Sequence, residues 1–303
     1  QNTAWRVTFH GAVANTLPET HLVTLVPMGG PVDNSWNFDV TALGGLLVAV
    51  TSFFPAGAQA KDENCTWVSP AERMIVAELY TSEGCSSCPP ADRWLSSQLT
   101  TPERARSILA LSFHVDYWNY IGWQDPYSSK QFTQRQYAHK SRGNVSQIYT
   151  PQYVFSNREV RRWGQAGLIP QQLAAMKQDK APISLHMSLE RKQANQVEIK
   201  VKADWLDERY KAGRMFIALY EDKLSQQVKA GENRGELLRH DRVVRHLSQA
   251  VAVSSADSVR VFTQTIPADW NQENVGIGVI VENSESNTVL QALNATGALA
   301  RCS

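Results

Sequence analysis

The chain has almost no net charge: 30 Lys and Arg stand against 29 Asp and Glu, a formal value of +1. That balance offers no basic footprint for gripping a phosphate backbone, which argues against nucleic acid as the principal partner. Cysteine is sparse, four in 303 residues. A structural zinc site needs four ligands, and besides one close pair, Cys85 and Cys88, the chain holds only Cys65 and Cys302, far apart in sequence. Long apolar runs are missing as well. Residues 42–56 are free of charge but too short, and too interrupted by Gly and Pro, for a stable membrane span. There is no internal repeat, and the glycines of Gly231-Glu232-Asn233-Arg234-Gly235 lack the spacing and the lysine of a phosphate loop.

What is there begins with that short apolar run. Ala58-Gln59-Ala60 follows it with small residues at the spacing a signal peptidase reads, so residues 1–60 are expected to be an over-extended start plus a signal peptide, with Met28 nearer the initiator and Lys61 opening the mature chain. The competing reading makes residues 42–60 a buried element of the fold. Export, to the periplasm or beyond, places the cysteines where disulfides persist. Of three possible pairings, Cys85 with Cys88 is the local choice and leaves Cys65 for Cys302. A bond between the first and last residues of the mature chain contributes roughly 3–5 kcal/mol in the chain-entropy picture.

Met74 to Tyr80 reads as a strand that runs through a small polar turn into Cys85-Ser86-Ser87-Cys88 and then Pro89-Pro90, residues tolerated in a first helical turn. A dithiol there sits where unpaired N–H groups and the helix dipole favour thiolate, the setting of reversible exchange. The bland alternative is a permanently oxidised tight loop, which gains little chain entropy from closing so few residues. Ala91 to Leu99 continues as helix, and Ile108 to Val115 is a continuous apolar run typical of a buried parallel strand. Strand, helix, strand at this spacing is a βαβ unit, so residues 61–180 are expected to be α/β. A polar helix over 128–142, a strand over 149–155 with Pro151 at its entrance and a helix over 170–180 complete it. After Ala181-Pro182 the period changes. About seven short β-prone runs, among them 183–189, 196–203, 214–221, 259–266 and 275–281, predict an all-β antiparallel sandwich over 181–303.

Candidate residues surround the dithiol. Glu78, in the strand that feeds it, is a possible proton carrier for Cys88. His114 and Asp116 share a side of their strand by alternation and could orient each other, although in so apolar a run His114 reads better as a core histidine. Tyr117, Trp118, Tyr120, Trp123 and Tyr127 crowd one loop, either as a ligand groove or as a cap packed on the core. Arg135 could bind a carboxylate or pair with Asp125. Gly231–Gly235 reads as a hairpin or domain-contact loop in which Arg234 clamps an acidic group. Arg239, His240, Arg242, Arg245 and His246 read as a solvated strand face.

Four motifs then carry a family resemblance: Glu78 to Asp92 (ELYTSEGCSSCPPAD), Leu111 to Trp118 followed by Gly122-Trp123-Gln124-Asp125-Pro126, Tyr149-Thr150-Pro151-Gln152, and Gly231 to Gly235. In this order, over about residues 74–250, they resemble the DUF1223 family of exported bacterial proteins, regarded as thioredoxin-like in the first domain with a β domain of their own. The resemblance implies Cys85 as attacking thiol, Cys88 as resolving thiol, and Pro151 as a cis-proline against the dithiol; Thr150, Tyr117, Trp118, Trp123 and Arg135 are the candidate substrate-binding residues around them. Thioredoxin carries Gly-Pro between its cysteines where this chain has Ser86-Ser87, so the direction of exchange is left open. Thiol–disulfide exchange on an unidentified protein or small thiol is the expected function, and a non-catalytic envelope binding module with a structural disulfide is the alternative. No metal and no organic cofactor is implied.

Overall fold

The computed structural model describes residues 5–9, 23–27, 65–165, 171, 174–175, 179–193 and 195–302. The chain divides into two compact units, 1–59 and 60–303. In the first, β1 (Trp5–Phe9) pairs antiparallel with β2 (Val23–Pro27). The signal-peptide reading of residues 42–60 and its alternative lie outside the described residues.

The second unit opens with β3 (Thr66–Val68) and β4 (Ile75–Thr81), followed by α1 (Pro89–Gln98), α2 (Pro102–Ala105) and β5 (Ile108–His114). β4 and β5 run parallel in register from Ile75 opposite Ile108 to Thr81 opposite His114. Every residue of both strands is buried, which is why they read as continuous apolar runs rather than alternating ones. Alternation still sorts the faces of β4. Ile75, Ala77 and Leu79 pack with Ala91, Leu95 and Leu99 of the α1 side, while Val76 and Tyr80 pack with Phe113 and Phe132 on the other. A turn of 3-10 helix (Asp116–Ile121) leads to α3 (Lys130–Ser141), whose N-cap Ser129 accepts the Gln131 N–H. The Thr150–Pro151 bond is cis, as expected. It precedes β6 (Gln152–Phe155), antiparallel to β4, and β7 (Arg158–Val160). Most of the helix expected over 170–180 lies outside the described residues.

The strands expected after residue 182 are present as β8 (Ile183–Gln193), β9 (Gln196–Trp205), β10 (Ala212–Glu221), β15 (Val259–Thr265), β16 (Val275–Asn283) and β17 (Val289–Ala295). Between them lie β11 (Leu224–Gln227), β12 (Leu237–His240), β13 (Val243–Leu247) and β14 (Val251–Ser254), and α4 (Ala298–Arg301) ends the fold. A four-stranded sheet, β15-β9-β8-β3, faces the antiparallel half of a nine-stranded sheet ordered β17-β16-β10-β13-β5-β4-β6-β7, with β14 also on β10. Leu185, Val197 and Ile199 of the smaller sheet meet Ile217, Ile277 and Val279 of the larger in one core, each such side chain contributing about 1.5–3 kcal/mol by burial. The molecule is thus mostly β, in several sheets.

The boundary expected at residue 180 makes no break in the larger sheet. β13 lies parallel to β5, with Val243 opposite Ser112 and the Ser112 N–H donating to the Arg242 carbonyl at 2.8 Å. Close packing fixes glycine most tightly at one position of this sheet. A Cβ on Gly276 would fall 2.3 Å from the buried Tyr220 ring. Cys65 and Cys302 form a disulfide across a sequence separation of 237, joining the segment before β3 to the end of α4.

Candidate functional site

After β4 the chain turns through Ser82 and Gly84, whose N–H donates to Ser82 Oγ at 3.1 Å, and enters α1 with Cys88 as N-cap. Prolines fill the next two positions, where no intrahelical N–H is required. Cys85 and Cys88 form a disulfide with a Cα separation of 5.4 Å. Both residues are 0% exposed, while Ser86 and Ser87 between them face solvent.

The seal comes from two loops. Asn233 Nδ2 donates to the carbonyls of Glu83 and Cys85 at 2.8 and 3.0 Å, and the Ser86 N–H donates to Glu232 Oε2 at 2.9 Å. Gly231–Gly235 is therefore a contact loop, but Glu232 and Asn233 make the contact and Arg234 is exposed, so the expected Arg234 clamp is replaced by an amide and a carboxylate reading backbone. Gly231 needs its left-handed φ of +76° there, with Ile121 and Trp123 against it. Trp118 packs its Cβ against Gly84 and donates its indole N–H to Thr150 Oγ1 at 2.7 Å, so one aromatic braces both the dithiol turn and the residue before Pro151. Trp123 donates its indole N–H to Glu83 Oε2 at 2.9 Å. Tyr117 donates to Gln136 Oε1 at 3.3 Å, and burial pushes its phenol up to about 12. The aromatic loop is thus mostly a cap on the core, with Tyr120, 82% exposed, as its outward ring.

A buried polar cluster fills the ends of β4 and β5 next to α1. His114 Nδ1 lies 2.7 Å from Asp125 Oδ2, an oxygen that also accepts the Glu83 N–H at 2.9 Å, while the Tyr127 N–H donates to Asp125 Oδ1 at 2.9 Å. Burial opposes ionisation of Asp125, but His114 and these N–H groups outweigh it and hold the carboxyl below its usual range. His240 Nε2 lies 3.1 Å from Glu83 Oε1, and its Nδ1 stands 3.8 Å from Asp92 Oδ1. Burial works against the imidazolium, yet Asp92 and Glu83 together push His240 up to about 10. Thr81 Oγ1 donates to Asp92 Oδ2 at 2.9 Å. Asp92, His114 and His240 are all buried and could hold a metal ion, with potential ligand atoms within 4.8 Å of one another.

This cluster revises several expectations. His240 and Arg242 do not belong to a solvated face: β12 turns alternate residues, Leu238 and His240, inward and leaves Leu237 and Arg239 outside, and Arg242, in the turn that follows, is buried against the Tyr220 ring. Arg245, mostly covered, pairs with Glu221. His114 and Asp116 do not orient each other, since β5 ends at His114 and Asp116 instead accepts from Thr133 Oγ1 at 2.5 Å. Arg135 does not pair with Asp125, which His114 occupies.

Arg135 binds Glu78 instead, through Nη2 to Oε1 at 2.6 Å and Nε to Oε2 at 2.9 Å. Tyr80 donates to the same carboxylate at 2.6 Å, and His139 Nε2 lies 3.1 Å away. The guanidinium also stacks over Phe216 at 4.6 Å, so it is committed internally rather than offered to a substrate. Burial disfavours the Glu78 carboxylate, but Arg135 and His139 overcome this and hold it well below the usual range. Glu78 faces α3, with Val76 and Tyr80, whereas Cys88 heads α1 on the opposite face of β4. It is therefore a fixed anion away from the dithiol and not a proton carrier for Cys88. Glu83, Asp92 and Asn233 are the residues that sequence reasoning passes over. Asp92 carries a legible signal, standing four residues after Cys88 and hence on the same side of α1.

Among the described residues, no helix is long and apolar enough to cross a membrane. A crystal structure of an Agrobacterium tumefaciens protein is similar over 74% of this chain and 94% of that one, at 25% identity and a TM-score of 0.54. HBP35 of Porphyromonas gingivalis is similar over 75% of this chain and 76% of its own, at 13% identity and a TM-score of 0.58, a likeness of fold alone. No curated protein matches significantly. The sequence profile of the family described as a protein of unknown function, DUF1223, matches residues 76–282, and the chain belongs to that family.

Proposed function

We propose that this is a thiol–disulfide exchange protein of the cell envelope, with Cys85 and Cys88 as its working pair. The observation that carries the reading is the Cys-x-x-Cys pair at a strand-to-helix junction, with Cys88 as N-cap of α1. A thioredoxin-like reading of this part is supported by the parallel β4-α1-β5 unit and by the β6-β7 hairpin set antiparallel to β4. Two disulfides in one chain support an oxidising compartment.

From the disulfide form, a partner thiolate attacks Cys85 Sγ and the Cys85–Cys88 bond breaks, with Cys88 leaving as thiolate. Its charge is favoured by the helix dipole at the start of α1, whose first two positions are prolines without an N–H. A second partner thiolate then attacks the partner sulfur of the mixed disulfide and expels Cys85 as thiolate. The partner dithiol is oxidised by two electrons, the Cys85–Cys88 pair is reduced, and two protons end on the pair. Because Cys85 is sealed, entry requires the Glu232-Asn233 loop to lift from the Cys85 carbonyl and the Ser86 N–H, next to the exposed Ser86-Ser87 edge.

Complete burial of both cysteines is also the observation that favours a second reading, a non-catalytic binding module with a structural disulfide. Equilibration of the protein in glutathione buffers, alkylation and peptide mass measurement separate the two. Exchange predicts a midpoint between about −120 and −270 mV, whereas a bond intact below about −300 mV leaves the binding module.

A further inference from the structure

We infer that Asp92, His114 and His240 form a binding site for one first-row divalent transition-metal ion, of the Zn2+ or Fe2+ class. The three residues come from α1, the last position of β5 and the last position of β12, and the fold brings them together with all three buried.

The strongest sign is what each imidazole leaves unused. His114 Nε2 and His240 Nδ1 are both buried and lack any hydrogen-bond partner, on residues that are 0% and 3% exposed. Buried ring nitrogens are ordinarily satisfied, and two such orphans beside one carboxylate need an occupant. The opposite nitrogens are each held by a carboxyl group, His114 Nδ1 by Asp125 at 2.7 Å and His240 Nε2 by Glu83 at 3.1 Å. That is the outer-shell pattern of metal-bound histidine: the carboxylate takes one ring N–H, fixes the ring and leaves the other nitrogen to the metal ion, which on His240 takes the place of a proton. The outer shell is itself anchored, because Asp125 accepts the Glu83 and Tyr127 N–H groups and Glu83 accepts the Trp123 indole N–H. Asp92 is prepared in the same way. Its Oδ2 accepts from Thr81, which leaves Oδ1 towards His240 Nδ1 at 3.8 Å.

The Tyr127 ring lies edge-on to both imidazoles, with centroids 5.4 and 5.9 Å away, and shields the cluster from solvent. Two imidazoles and one carboxylate suit Zn2+ or Fe2+ better than Ca2+ or Mg2+, which prefer all-oxygen shells, and three protein ligands leave a coordination position open. Ligand atoms around such an ion stand about 3.4 Å apart, so the present spacings, all within 4.8 Å, close by rotamer adjustments on the order of 1 Å. The inference does not rest on the exchange reading.

The test uses the full chain with both disulfides intact, so that no thiol can bind metal. The protein is stripped with chelator and titrated with Co2+, then Zn2+. One equivalent of Co2+ is expected, with visible d–d bands and no thiolate charge-transfer band, displaced by one equivalent of Zn2+. His240→Gln and Asp92→Asn should each weaken binding at least 10-fold, and His186→Gln, on the exposed face of β8, should leave it unchanged. Absence of binding to the folded wild type, or one-equivalent binding that survives both substitutions, overturns the site in favour of a proton held between His240 and Asp92. Should either variant fail to fold, the wild-type thermal midpoint decides. A rise with one equivalent of Zn2+ but not with Ca2+ supports the site, and indifference to Zn2+ overturns it.

Discussion

Replacing Arg135 with Met isolates the electrostatics of the buried Glu78 cluster. Met keeps part of the apolar contact with Phe216 and Phe113 but removes two charge-assisted hydrogen bonds, at 2.6 and 2.9 Å, from a carboxylate that is 1% exposed. Removing one partner of a buried ion pair leaves an uncompensated charge, and the expected loss is about 3–5 kcal/mol. For a unit of this size that lowers the thermal midpoint by about 10 °C. The sign with pH also changes. In the wild type Glu78 is held below its unfolded-state value, so its contribution is fully present above about pH 4.3 and is lost as pH falls towards the depressed folded-state value. Without Arg135, burial pushes Glu78 up. The variant is then penalised most at pH 7 and recovers on acidification through the raised value. Urea unfolding of both proteins at pH 7 and pH 5, disulfides intact, measures this directly. Adding Glu78→Gln to Arg135→Met should restore at least half of the loss, since neither side is then a buried charge. A deficit below about 1 kcal/mol at pH 7, or a double variant no more stable than the single one, would refute the reasoning.

Three further outcomes follow from particular contacts. Cys65→Ser with Cys302→Ser releases a closure spanning 237 positions and should lower stability by about 3–5 kcal/mol, read as a shift of the urea midpoint. Gly276→Ala drives a methyl into the Tyr220 ring and, through it, disturbs the hydroxyl bond to Asn294 at 2.6 Å; a loss of about 1–3 kcal/mol is expected, and an unchanged thermal midpoint would contradict the packing. Asn233→Ala removes two of the three hydrogen bonds that hold the cap over the dithiol turn, leaving the Ser86 N–H bond to Glu232. It should cost about 1–3 kcal/mol and make the reduced Cys85 at least several-fold faster to alkylate under native conditions.

Much of the scaffold is legible in the sequence for local reasons. β4 and β5 are apolar at nearly every position because both their faces are covered, and β8 and β9 alternate because one face is wet. Prolines 89 and 90 mark the start of α1, and the four cysteines pair as their spacing suggests. What a sequence does not display is which strands become neighbours. One aligned pair, Val243 with Ser112, joins the later strands to β5, and no periodicity announces it. The same limit governs the site. Proximity in the chain suggests Asp125 as the partner of Arg135, yet His114 claims Asp125 and strand alternation delivers Glu78 to Arg135 instead. Neighbouring arginines make His240 read as solvated, although the period-2 pattern of Leu238 and His240 points inward.

The most direct test of the exchange reading is the order in which the two sulfurs react. The protein is reduced under native conditions and treated with a substoichiometric alkylating reagent, and the modified peptides are resolved by mass. The account predicts that Cys85 is modified first and Cys88 lags, with Cys65 and Cys302 still joined. Thiols at Cys85 and Cys88 that stay unmodified until the protein unfolds would contradict it and leave a sealed structural disulfide.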